Sequence, residues 1–557
     1  MRLRWVIVPI YLLVSAALIV FIGRQLGTEI FPKVEAGQLQ IRLRAPTGTR
    51  VERTETLALQ ILDLIKNEVG PQNVAITLGF VGVHGASYPI NLIYLWNGGS
   101  EEGVVQVELK PGVRLNIDQL KERLRQKLAQ QLPSVKCSFE PSDIISRVMS
   151  LGSPTPIEVA VTGPSLSANQ AHAEKIREQL ERIPALRDLE FGQSLDYPIV
   201  DVAVDRERAG LLGVKAADAS RSLVAATSSS RFTSPVYWAD PNSGVAYQIQ
   251  VQVPQTNMNS LEEVKNIPVS YRDGEAILLR NIATVTNGTA VGQYERYNMQ
   301  RMITLTANIT GADLGTVAKQ VMQAVRQAGE PPPKVNVAVR GQIVPLNQML
   351  DGLRTGLLLA IAVIFLLLAA NFQSLKLSLI VVSTVPAVIS GVVITLWVTG
   401  TTLNIQSFMG AIMAVGVAVA NSILLVTFAE RSRIGQAARL PTTTATATSA
   451  ALASAADAAV LGGASRLRPI LMTSCAMIAG MVPMALGLGE AGSQAAPLGR
   501  AVVGGLLLAT FATLLVLPPV FAIVQVRASR RSASLDPDDI ENGTHSSAPS
   551  PQGRGPG

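Results

Sequence analysis

Between Gly352 and Val526 five apolar runs follow one another with scarcely a charge inside them: about Leu353–Asn371, Leu377–Gly400, Leu403–Ala429, Ile470–Leu488 and Ala501–Val526. A helix rising about 1.5 Å per residue needs roughly 18 or more apolar residues to cross a hydrocarbon core of about 30 Å. Helices buried inside a soluble protein would carry a polar stripe at helical period toward water, and none of these runs has one. The chain is therefore read as an integral membrane protein. A sixth run, Trp5–Gly23, opens it behind Arg2 and Arg4. It is longer than the roughly 7–15 residues of a signal-peptide core, and no small-x-small site precedes Arg24, so it is expected to remain as a spanning helix.

With 48% hydrophobic and 16% charged residues, the 557-residue chain has room for a membrane bundle and at least one water-soluble domain. The net charge of +7 needs no nucleic-acid partner. Lys and Arg gather on the cytoplasmic side of spanning helices, and no basic patch interleaved with aromatics occurs. Cys137 lies in a polar stretch and Cys475 in an apolar one, so a disulfide between them is not expected.

From Arg24 to Asp351 charges return and short alternating strands take turns with amphipathic helices. Gln-Leu-Gln-Ile-Arg-Leu-Arg at 38–44 places Leu39, Ile41 and Leu43 on one side of a sheet. A helix over Thr49–Val69 follows, then strands near Val74–Leu78, Ile90–Trp96 and Val104–Leu109, a helix near Ile117–Gln131 and a strand near Val135–Phe139. That order is a ferredoxin-like split βαβ unit, with helices on one face of an antiparallel sheet. A second such unit is read at 151–201 and 290–345, interrupted by an inserted segment at 202–289. The fold class is thus a six-helix membrane bundle carrying an α+β block. The remaining boundaries are 1–24 for the first helix, 25–150 for the first α+β unit, 346–429 for helices two to four, 430–468 for a loop, 469–526 for helices five and six, and 527–557 for a disordered tail.

Helices one and two must bring the block out on one side. Arg2, Arg4, Lys376, Arg431, Arg433, Arg439, Arg466, Arg468, Arg527, Arg530 and Arg531 all fall on the other side, which places both termini in the cytoplasm. Arg24, Arg354 and Arg500 are exceptions at outer ends. The Ala- and Thr-rich segment 436–463 is read as cytoplasmic loop with one short helix, Ala450–Val460.

Five strings stand out in order: Phe31-Pro32-Lys33-Val34-Glu35-Ala36-Gly37-Gln38 leading to Pro46-Thr47-Gly48-Thr49 and Glu52-Arg53-Thr54-Glu55; Ala370-Asn371-Phe372-Gln373-Ser374; Asn421-Ser422-Ile423-Leu424-Leu425-Val426; Arg466-Leu467-Arg468-Pro469-Ile470-Leu471-Met472-Thr473; and Met481-Val482-Pro483-Met484-Ala485-Leu486-Gly487-Leu488-Gly489-Glu490. With them the chain resembles the resistance-nodulation-division (RND) efflux permeases, acriflavine-resistance branch, whose full chains contain a unit like this twice. The likeness covers roughly residues 1–526 and is to the C-terminal half, since the N-terminal half carries an aspartate pair in its fourth helix where this chain has Asn421. It implies a bacterial inner-membrane transporter subunit rather than an enzyme, with a periplasmic porter and docking-like insertion, driven by a proton gradient with no cofactor. The implied cargo is lipophilic or amphiphilic. The implied partners are an N-terminal-half subunit bearing the relay aspartates, a trimeric assembly, a periplasmic adaptor, an outer-membrane channel and membrane lipid. A non-transporting scaffold or a permease remnant stays open, as does a heavy-metal exporter.

Asn421, Thr473 and Arg466 match relay-associated positions of the family, whereas the Lys often found before this Asn is Ala420 here. Bland readings stand beside each: a packing amide, a back-bonded helix Thr and a positive-inside anchor. No Asp or Glu lies inside any of the six runs, and an ion carrier in a membrane needs an ionisable group facing the bundle. Glu490 reads as a loop carboxylate. His84 and His172 lack partners at metal-ligand spacing. Met149, Met299, Met302 and Met349 are the residues a soft-metal cargo would use, and core packing is their commoner role. Trp96, Phe232, Tyr237 and Trp238 are the most visible aromatics of the block.

Overall fold

A computed structural model describes residues 4–32, 37–83, 97–113, 115–272, 274–437, 447–488 and 492–525. The expected strand Ile90–Trp96, His84, Glu490, Arg439, Arg527, Arg530, Arg531 and the tail lie outside the described residues. In the first unit, β1 (Gln38–Arg44), β2 (Val74–Val81), β3 (Glu102–Leu109) and β4 (Lys136–Glu140) form an antiparallel sheet in the order β2-β3-β1-β4. Helices Val51–Val69 and Ile117–Gln131 cover one face. Their stripes Leu57, Ile61, Ile65 and Leu120, Leu124, Leu128 meet Leu39, Ile41 and Leu43, all buried.

The second unit repeats the pattern. β5 (Ile157–Gly163), β6 (Leu186–Phe191), β13 (Glu295–Tyr297), β14 (Gln300–Ile309) and β15 (Asn336–Gly341) run in the order β13-β14-β5-β15, with β6 also on β14. Helices Leu166–Leu180 and Leu314–Gln327 pack on Val159, Val161, Ile303 and Leu305. The insertion is tied in by β7 (Tyr197–Val204) against β12 (Ala283–Ala290) and has its own small core around Ile267, Leu279 and Ile282. Its hairpin β8 (Val236–Ala239) and β9 (Ala246–Ile249) is exposed throughout and carries Tyr237 and Trp238, with Phe232 just before it.

Among the described residues six helices are long and apolar enough to cross a membrane: Trp5–Gly23, Ile343–Phe372, Leu375–Val398, Ile405–Arg433, Ala455–Ala485 and Gly492–Val524. Helix three is two pieces, Leu375–Val382 and Val385–Val398. Pro386 has no N–H and its ring crowds the preceding turn. Tyr11 of helix one patches the break, its hydroxyl donating to Ser383 O (2.8 Å) and accepting from Ala387 N (3.1 Å). Helix six carries a π-turn, Ala512–Val516, before Pro518 and Pro519. Helices three and six cross at glycines: a Cβ on Gly391 would stand 2.2 Å from Gly504 O.

One expectation is corrected. The loop placed at 430–468 is largely helix: helix four runs on to Ala437 and helix five already begins at Ala447, absorbing the expected Ala450–Val460 piece into 39 residues. Alanine is the best helix former, and a stretch poor in large apolar residues continues a helix that others have nucleated. Buried Ala455, Ala458 and Ala459 show the extension packing.

Candidate functional site

Period-two alternation leaves each sheet with a second face, and the structure turns those faces toward each other. In β1, Gln40, Arg42 and Arg44 point opposite Leu39, Ile41 and Leu43. In β14, Met302, Thr304 and Thr306 point opposite Ile303, Leu305 and Ala307, beside Glu295 of β13, Glu158 of β5 and Arg340 of β15 in register. A cavity of about 710 Å³ opens here, lined among others by Arg42, Glu158, Glu295, Tyr297, Met302 and Arg340.

One wall is an ion-pair network. Glu102 accepts from Arg44 Nε (2.7 Å), Arg42 Nη2 (3.1 Å) and Gly98 N (2.6 Å). Burial alone would push the Glu102 carboxyl up, but Arg42 and Arg44 hold it below the usual carboxylate range. Arg44 also reaches the second unit, donating to Phe191 O and Gly192 O, each at 2.8 Å, with Glu190 at 3.5 Å. A second fastening joins Arg125 to Asp188 through two bonds of 2.8 Å. Asp188 sits in the left-handed region at φ 53°, which Asp tolerates better than most residues, and also accepts from Phe139 N and Asn308 Nδ2.

The other carboxyls behave differently. Burial pushes Glu140, Glu158 and Glu295 above the usual range; Gln40 and Arg42 partly offset this at Glu140, and Gln193 at Glu295. Arg340 stands 3.9 Å from Glu158, 3.3 Å from Met302 Sδ and 4.0 Å above the Tyr297 ring. Among the described residues no group of three His, Cys, Asp or Glu is placed to hold a metal ion.

The second candidate place is a polar layer inside the apolar bundle. Thr473 donates to Asn421 Oδ1 (3.2 Å), Asn421 Nδ2 donates to Ser474 Oγ (3.3 Å), and Thr510 donates to Ser474 Oγ (2.8 Å). One residue along, Ser422 Oγ lies 3.3 Å from Thr513 Oγ1 and 3.4 Å from Thr384 Oγ1. Asn421 and Thr473 thus meet. Arg466 does not join them: it lies two turns away, about 10 Å along the axis, with its guanidinium 5.0 Å from the Phe428 ring. Ser474, Thr384, Thr510 and Thr513 were missed from the sequence. Their only signal was a hydroxyl in an apolar run, with Thr510 and Thr513 three apart on one helix face.

The remaining candidates scatter. Met149 and Met349 pack against the second unit's core, Met299 is exposed on the β13–β14 turn, and Met302 lines the cavity. His172 is buried in helix Leu166–Leu180. Cys137 and Cys475 are free. Arg433, expected as a positive anchor, is buried in a bidentate pair with Glu430.

The AcrB/AcrD/AcrF family model matches residues 1–525. "Cation efflux system protein CzcA" of Alcaligenes sp. (strain CT14) is 25% identical over 521 residues, 92% of this chain and 46% of the relative. "Cobalt-zinc-cadmium resistance protein CzcA" of Cupriavidus metallidurans matches with the same identity and coverage. The chain therefore spans about half the length of the curated relatives it matches. A solved structure described as a heavy metal efflux pump superposes with a TM-score of 0.78 at 23% identity, covering 94% of this chain and 51% of the other.

Proposed function

The chain belongs to the AcrB/AcrD/AcrF family, and from that premise we propose that it is one half of an RND-type export permease of a bacterial inner membrane. The six apolar helices span the bilayer with both termini inside, and the two α+β units stand in the periplasm as the porter. The observation that carries the reading is the open cavity of about 710 Å³ on the second unit's sheet face, met by Arg42 and Asn97 of the first unit and lined by charges of both signs.

That lining revises the expected cargo. A lipophilic passenger would strip water from the partly exposed Arg340 and Glu295 without replacing it, so the cavity suits a polar or charged solute. A metal cation is the second reading, favoured by what the relatives are named for. Glu158, Glu295 and the Met302 thioether are the groups it would have to recruit, and Arg42 and Arg340 oppose it.

Helix four carries Glu430, buried in its pair with Arg433, and helix five carries the exposed Asp457, neither bonded to the layer at Asn421, so the power is read as coming from a companion. The polar layer at Asn421 consists of amide and hydroxyl groups, none of which exchanges a proton near neutral pH. Thr473, exposed on helix five, is then the contact position for an aspartate-bearing half, with the buried Asn421 bonded behind it. Trimeric assembly with an adaptor and an outer-membrane channel completes the proposed machine.

Proteoliposomes holding this chain, an aspartate-bearing family half, or both, test it under an acid-outside gradient. The cargo panel is zinc, cobalt and cadmium salts, an organic anion and a lipophilic cation. Movement is expected only with both halves. Pumping by this chain alone would sink the proposal, and metal selectivity would promote the second reading.

A further inference from the structure

Three arginines break the charge asymmetry by lying at the outer ends of apolar helices. Arg500 is explained by its bonds: Nε donates to Ala485 O (3.0 Å) and Nη1 to Thr401 Oγ1 (2.6 Å), closing the end of helix five. Arg24 and Arg354 are exposed and make no ion pair among the described residues. Arg24 lines an apolar cavity of about 320 Å³ between helices one to four, and helix two contributes Leu357 to the same lining. Arg24 is in its rim, and Arg354 stands three residues before Leu357, a lining residue, on the same helix face and nearer the soluble block.

The groove is built from fixed parts. Toward the soluble block the segments after helix one and before helix four are tied together, Leu403 N donating to Gly27 O (2.8 Å) and Glu29 N to Leu403 O (3.1 Å). Val20, Val393, Phe408 and Ala411 supply its apolar walls, and at Gly23 a Cβ would meet nothing within 4 Å. Its volume is near the low end of ligand pockets, roughly 300 Å³. An apolar slot with the Arg24 guanidinium in its rim, and that of Arg354 one turn beyond the lining residue Leu357, at the level where helices leave the hydrocarbon has the polarity of an anionic amphiphile, chain down and headgroup up.

We propose that the groove holds an acyl chain of one anionic phospholipid of the outer leaflet, with its phosphate at Arg24 and Arg354. The proposal rests on the membrane-spanning reading and concerns a resident lipid, separate from the cargo cavity. The lipid fills a void beside the first-to-fourth-helix junction that supports the porter.

Full-length chain is purified from membranes in mild detergent, loaded with phosphatidylglycerol or phosphatidylcholine, and the bound lipid counted by native mass spectrometry. Wild type is expected to retain one phosphatidylglycerol in preference to phosphatidylcholine. Arg24→Glu with Arg354→Glu lowers that preference on the order of tenfold. Gly23→Leu fills the slot and removes the tightly held lipid of either headgroup. The thermal midpoint of each variant is measured alongside, and Arg24→Lys with Arg354→Lys must restore the preference. Equal retention by wild type and all variants overturns the proposal, as does loss of phosphatidylglycerol when the companion half is added, which would mean that a protein helix occupies the slot. Carbonate washing of membranes separates the two failures: a chain released by it is not membrane-spanning, whereas one retained without lipid preference refutes only the lipid site.

Discussion

Arg44→Ala probes how the two α+β units are held together. The side chain is buried, and it donates to Glu102 at 2.7 Å in its own unit and to Phe191 O and Gly192 O at 2.8 Å in the other. Each hydrogen bond from a charged donor contributes about 1.5–3 kcal/mol. Glu102 keeps Arg42 at 3.1 Å, so its charge is not stranded, and the neighbouring cavity, which Gly192 lines, lets water reach the Gly192 carbonyl. The expected loss is about 3–5 kcal/mol, the range for breaking a buried pair by removing one partner. In detergent-solubilised full chain that should lower the melting midpoint of the soluble block by roughly 10 °C and expose β6 to hydrogen exchange. Arg44→Lys, with one compact charge in place of the fork, falls between. Arg50→Ala, which removes an exposed pair with Glu52, should leave the midpoint where it was. There is a pH signature as well. Because Arg42 and Arg44 hold Glu102 below its unfolded value despite burial, its contribution is complete above the ordinary carboxylate range and is lost as pH falls through the depressed value. Arg44→Ala should flatten that acid limb. A midpoint within about 2 °C of wild type, or an unchanged acid limb, would refute the reasoning.

Glu140 runs the other way. Burial raises its carboxyl, so its effect on stability is favourable below the unfolded value and is lost as pH rises through the raised one; Glu140→Gln should therefore melt higher than wild type in alkali and converge with it in acid, and a pH-independent difference would contradict this. Asn421→Leu removes one intramembrane amide whose neighbours can turn back to helix carbonyls, so unfolding in detergent should show a loss of only about 0.6–1.7 kcal/mol. Gly391→Ala forces a methyl against the Gly504 carbonyl and should cost about 1–3 kcal/mol or more in the same assay. Gly480→Ala, with nothing within 4 Å, should be neutral or gain up to about 1 kcal/mol.

The elements that could be read from the sequence are those whose pattern is local. The apolar runs announced helices through length alone, and the alternation of Leu39, Ile41 and Leu43 marked β1 correctly. What could not be read is what covers a face. Gln40, Arg42 and Arg44 look like a surface row, and only the second sheet, contributed largely by residues more than a hundred positions away, buries them. The polar layer was half legible for the same reason: Asn421 and Thr473 were named one by one, but their meeting depends on how helices four and five cross. The extension of helix five failed because Ala and Thr were judged by how little they bury, whereas tight packing between neighbouring helices favours small side chains.

The charged joint between the two sheets has a bearing on motion. A contact made of hydrocarbon weakens in proportion to the area pulled apart. Between ions, attraction at 4 Å falls from a few kcal/mol near a protein surface to about 1 kcal/mol in bulk water, so the first molecules admitted to the seam loosen all that remains of it. Arg44, Arg125 and their carboxylates should therefore behave as a threshold device, rigid while dry and pliant once wetted, with flooding of the neighbouring chamber as the trigger.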